Sequence, residues 1–151
     1  MAGNDKALHL VLDLRKKQEN TALEHYIAAK NKVASYKDQI AQIDGYKQSY
    51  IDDMQRAGMN GFSAQRLLTF QDFLNKLDAI KARQEYELQL CIADMDKKNK
   101  LYLQAHKNRK IIESLLEKHK QQRIKAELIK EQKLLDEFVV AHAARRSSHQ
   151  S

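Results

Sequence analysis

The sequence predicts an all-α fold, a long antiparallel two-helix coiled-coil hairpin with an overhanging C-terminal helix. Three observations predict it. An apolar repeat with alternating four- and three-residue steps runs through Leu8, Leu12, Arg15, Glu19, Ala22, Tyr26, Ala29, Val33, Tyr36, Ile40, Ile43, Lys47, Tyr50 and Met54. The chain contains no proline, so nothing forces a helix to stop. Its composition, 31% charged and 7% aromatic, is that of long helices rather than of a globular core. A 3.5-residue repeat needs a partner helix along its whole seam.

The first helix is expected over about residues 5–57. Only Arg15, Glu19 and Lys47 carry charge on its seam. Gly45 lies inside the unbroken repeat and reads as a helical glycine costing about 1 kcal/mol relative to alanine. The break comes at residues 58–62, where Gly58 and Gly61 bracket Met59 and Asn60. Glycine at a helix C-terminus is the usual stop. Phe62 sits where a hydrophobic staple would be, and Ser63 can cap the next helix through its hydroxyl.

The second helix is expected over about 63–143, with a disordered tail over 144–151. The whole chain, 1–151, reads as a single coiled-coil hairpin. At 1.5 Å per residue the helices measure roughly 80 Å and 120 Å. A short turn makes them antiparallel, which sets a residue near 112 opposite Leu8. Phe70, Leu74, Leu77, Leu88, Cys91, Met95, Tyr102, Ala105, Ile112 and Leu116 form the second seam, interrupted by Lys81, Gln84, Lys98 and Arg109. Past His119 the frame slips by one residue to Ile124, Leu128, Leu135 and Phe138. That stripe has no internal partner, so it is a candidate binding surface.

Charge is uneven. Net charge is +7 overall, and twelve Lys/Arg against four Glu between Lys97 and Lys133 give +8 there. A basic helix admits nucleic acid, anionic lipid or an acidic protein as partner. Nucleic-acid binding wants interleaved aromatics, and Tyr102 is the only one in the stretch. The solitary Cys91 rules out an internal disulfide and suits a reducing compartment. No apolar run reaches membrane-span length, and residues 1–20 lack a signal-peptide core. A cytoplasmic protein is expected.

Catalytic signatures do not appear. There is no phosphate loop or nucleophile elbow, and His9, His25, His106, His119, His142 and His149 have no metal-ligand spacing. No catalytic, cofactor or metal residue is predicted, and the expectation is a non-enzymatic protein acting through contacts. Near the turn, Tyr46, Tyr50, Phe70 and Phe73 form an aromatic cluster. Its rings either plug the seam or present a docking face, since aromatics supply large contact area at low entropic cost.

Several stretches carry a resemblance. Ile43-Asp44-Gly45-Tyr46-Lys47-Gln48-Ser49-Tyr50, Ser63-Ala64-Gln65-Arg66 and Phe70-Gln71-Asp72-Phe73-Leu74-Asn75-Lys76-Leu77 are similar to the flagellar export protein FliJ family. So are Lys133-Leu134-Leu135-Asp136-Glu137-Phe138 and Ala143-Ala144-Arg145-Arg146. The resemblance covers essentially the whole chain.

It implies a small cytoplasmic component of the flagellar type III export apparatus, serving motility and peripheral to the inner face of the bacterial inner membrane. Members form an antiparallel coiled coil similar to the stalk of rotary ATPases. The implied partners are the export ATPase hexamer, whose ring it enters and helps assemble, the cytoplasmic domain of the export gate, and export chaperones. No nucleic acid is implied. Carried over by position, Gln39, Ile43, Tyr46, Tyr50, Phe73, Leu77, Ile80 and Gln84 would face the gate. At the last two positions the family carries Ala and His, so Ile80 and Gln84 depart from its pattern. Lys118, Lys120, Arg123, Lys125, Leu128, Lys130, Leu135 and Phe138, on the basic overhang, would face the ATPase ring. Competing readings are the equivalent stalk of a virulence type III secretion system, a basic nucleic-acid-binding coiled coil, and a tether dimerising through Ile124 to Phe138.

Overall fold

A computed structural model describes residues 2–58 and 61–149. Two helices make up the fold, α1 over Ala2–Arg56 and α2 over Ala64–His149, in close contact and with no strand among the described residues. It is an all-α helical hairpin. Its antiparallel sense shows in the contacts: Lys47 meets Asp78 while Asp44 meets Lys81, so residue numbers rise on one helix as they fall on the other.

The turn is built as its residues dictate. Gly58 has φ of 80°, the left-handed conformation that ends a helix and that glycine adopts without steric cost. The Ala57 N–H donates to the Asp53 carbonyl and the Gly58 N–H to the Gln55 carbonyl, closing the last turn of α1. Ser63 caps α2, its Oγ accepting from the Arg66 N–H at 3.3 Å. Phe62 finds a cation where a staple was expected: the Arg66 guanidinium lies 4.7 Å above its ring centroid. Met59 and Asn60 of the expected loop lie outside the described residues. Gly45 sits within continuous helix.

Residues divide into two compact units, Gln18–Ala105 and Met1–Lys17 with His106–Ser151, where the sequence suggests one. A two-helix seam has no central core to bind distant turns together, so contacts stay local. In the first unit, Ala29, Val33 and Cys91 are buried, and Tyr26 stacks parallel to Tyr102 at 6.4 Å. In the second, Leu12 and Asp5 are buried. Every predicted seam position of α1, and of α2 from Phe70 to Leu116, is buried or half-buried. The polar interruptions Lys81, Gln84, Lys98 and Arg109 are half-buried too, Arg109 donating to Glu113 at 2.7 Å.

Two expectations need correction. The predicted disordered tail is helical as far as His149, and Gln150 and Ser151 lie outside the described residues. Ala143, Ala144, Arg145 and Arg146 are good helix formers with no glycine or proline after them, so the helix simply continues. The register also differs. Asp5 lies opposite His119, which sets Leu8 beside residues near 116 rather than 112. Interdigitating seam side chains choose the register, and they need not centre it on the loop.

Candidate functional site

In the unit Gln18–Ala105, a heptad frame orders the loop-proximal turns. Ile43, Tyr50, Leu77 and Gln84 are seam positions, half-buried between the helices. Gln39, Tyr46, Phe73 and Ile80 each lie four residues before one of them, on a flank of the seam, and are exposed. Antiparallel helices present their heptads in opposite rotational senses, so equivalent flanks of the two helices meet on one side. All eight residues therefore share one side of the hairpin, four as its floor and four as its wall.

Aromatic packing ties this side together. The Tyr50 ring stacks on Phe70 at 5.1 Å and meets Phe73 edge-on at 4.5 Å. Tyr50 and Phe70 fill the seam, while Tyr46 is 68% exposed and Phe73 41%. Ile80 adds a further exposed apolar side chain. The Gln84 Oε1 is buried and meets no hydrogen-bond partner among the described residues.

The opposite flank is ionic. Lys47 Nζ donates to Asp78 at 2.7 Å, and Lys81 Nζ lies 2.7 Å from Asp44. Each lysine rises from the seam and each aspartate stands on the same flank. The Lys81 ammonium is held above the usual lysine range, first by the hydrogen bond to Asp44 and then by the negative charges of Asp44, Glu85 and Asp78, against an opposing effect of desolvation. These two ion pairs were not foreseen. Seam lysines at equivalent heptad positions, each with an aspartate three residues before it in its own helix, were the available signal.

In the unit Met1–Lys17 with His106–Ser151, a different surface appears. Every residue from Gln121 to Ser148 is exposed. At about 100° per residue, Ile124, Leu128, Leu135, Phe138 and Val139 fall within one sector of α2. All are at least 43% exposed. Phe138 stacks on His142 one turn further on. Lys120 borders this stripe on one edge and Lys125 on the other. Lys118 and Arg123 each stand about 60° beyond its opposite edges, and Lys130 about 80° beyond. Of the eight predicted ring residues, Leu128, Leu135 and Phe138 lie in the stripe and Lys120 and Lys125 border it, while Lys118 and Arg123 stand further round on opposite sides and Lys130 lies furthest away.

Arg123 is engaged elsewhere. It pairs with Asp5, whose second oxygen accepts from His119 Nδ1 at 3.0 Å. An ionised carboxylate only accepts, so the proton sits on His119 Nδ1. His119 and Arg123 are the last residues of the old heptad frame, and the frame slips directly after them. The slip falls directly after the last α2 residues seen to pair with α1 among the described residues. Sequence reasoning missed Asp5, although stepping the α1 frame back from Leu8 lands on it.

Among the described residues no group of three or more His, Cys, Asp or Glu is placed to hold a metal, and no helix is long and apolar enough to cross a membrane. A family model described as Flagellar FliJ protein matches residues 4–148. No curated protein and no solved structure gives a significant match to this chain.

Proposed function

This chain belongs to the flagellar FliJ protein family and is a component of the flagellar protein export apparatus; from that premise we propose that its two exposed surfaces dock two different partners. The basic α2 overhang, from Lys118 through Phe138, enters the ring of the export ATPase hexamer. The wall of Gln39, Tyr46, Phe73 and Ile80 over its floor of Ile43, Tyr50, Leu77 and Gln84 docks the cytoplasmic domain of the export gate. Export chaperones are further partners, and the protein works in the cytoplasm against the inner face of the inner membrane. The family is non-enzymatic, and the contribution is thermodynamic. Contacts made only in the assembled ring favour ring over free subunit by mass action.

One observation carries the ring reading: the segment from Gln121 to Ser148 is exposed on every side while keeping an apolar stripe. A helix that leaves eight large apolar side chains between Ile124 and Val140 in water has burial to gain from a cavity. Basic borders give that helix attraction to an anion-lined wall. The gate reading rests on aromatic anchors held rigid by the seam, with a polar ionic flank behind them.

The test is a titration into the export ATPase of the same organism, following hydrolysis and ring formation together. Both rise saturably with dose, and truncation after Arg123 removes the effect while leaving far-UV circular dichroism per residue unchanged. Equal stimulation by the truncated chain would refute the ring reading.

A further inference from the structure

The Asp5 contact is a candidate for control. Asp5 is buried on α1, its side chain 12% exposed, while its partners His119 and Arg123 on α2 are 31% and 53% exposed. A carboxylate buried this far needs its partners, because unpaired it pays desolvation with nothing in return. Arg123 is less bound by the arrangement, since half of its side chain already stands in water. From that asymmetry we infer that Asp5 is an internal competitor. It occupies the first basic groups of the overhang and closes the N-terminal turns of α1 onto α2, and an anionic protein surface must displace it to reach them.

The inference rests on the ring reading, and it names a regulation of that same surface. In the free chain the Asp5 carboxylate neutralises Arg123 and accepts from His119. An acidic wall that takes Arg123 leaves Asp5 with a single donor. The start of α1 then keeps only the His119 contact as a polar tie, beside the packing of Leu8, Val11 and Leu12. Docking of α2 and loosening of the α1 N-terminus are thereby coupled, and by linkage anything that loosens the one favours the other.

Four full-length chains test this: wild type, Asp5→Asn, Asp13→Asn and Asp5→Asn with Arg123→Gln. Asp13 is exposed on α1, so its substitution controls for the change in net charge. Affinity for the purified export ATPase is measured beside hydrogen exchange of residues 2–17 in the free chain. Asp5→Asn should speed exchange in that segment and tighten binding by up to about fivefold, the range of a half-exposed ion pair. Asp13→Asn should do neither, and adding Arg123→Gln should remove the gain in affinity. Equal affinities for the Asp5 and Asp13 variants overturn the inference and leave the ring reading standing. Unchanged exchange in Asp5→Asn overturns it as well, because apolar packing would then suffice to hold the segment. Absence of binding by the wild type overturns the ring reading, and the inference falls with it.

Discussion

The Tyr50–Phe73 contact lets packing and docking be separated by experiment. Consider Tyr50→Ala, Phe73→Ala and the double variant. Phe73 is 41% exposed, so somewhat more than half of its surface is covered. For a ring of about 200 Å² this is about 120 Å² removed from water. At about 25 cal/mol per Å² it corresponds to about 3 kcal/mol, and to about 2 kcal/mol once a compact unfolded chain is taken as reference. The edge-on contact at 4.5 Å adds about 0.5–1.5 kcal/mol that neither residue retains alone. Urea unfolding followed by circular dichroism measures both quantities. Phe73→Ala should lower the midpoint by about 1 M, taking a slope of about 2 kcal/mol/M. The cycle should show coupling of the expected size between Tyr50 and Phe73. Tyr46→Ala, at a site 68% exposed, should stay within about 0.5 kcal/mol of wild type while weakening binding to the gate domain. A coupling below about 0.3 kcal/mol would refute the packing argument. Full gate binding by Tyr46→Ala would refute the docking argument.

Two further outcomes follow from the backbone and the ionic flank. A methyl group at Gly45 would meet no atom within 4 Å, so Gly45→Ala should raise stability by about 1 kcal/mol. Gly58→Ala should lower it by about 1–2 kcal/mol, because φ there is 80°; thermal melts of the two variants check both signs. The Lys81 pKa is raised in the folded chain, so its contribution is fully present below the ordinary lysine value of about 10.4 and is lost as pH rises through the raised folded value. Asp44→Asn should therefore be less stable than wild type at pH about 9, with the difference shrinking at more alkaline pH, as read by urea midpoints.

What could be read from the sequence alone was what depends on local period and backbone chemistry. Leu12, Ala29 and Val33 announce burial because a 3.5-residue repeat puts them on one line, and each line must be covered. Gly58 and Ser63 announce the turn because only glycine takes φ of 80° without strain and only a short polar side chain caps the orphan amides. The one-residue slip after His119 announces the end of pairing, and the structure agrees at Arg123. Tertiary structure decided what depends on how two surfaces meet. Leu8 sits beside residues near 116 because the seam, not the loop, sets the register. Residues 144–149 are helical because nothing in them ends a helix that packing did not need to support. The sequence left the partners across the flanks open, since a heptad letter says how far a residue lies from its own seam, not which residue of the other helix it meets. Gln39, Tyr46, Phe73 and Ile80 become one wall, and Asp5 finds His119 and Arg123, only once two chain segments run antiparallel in one particular register.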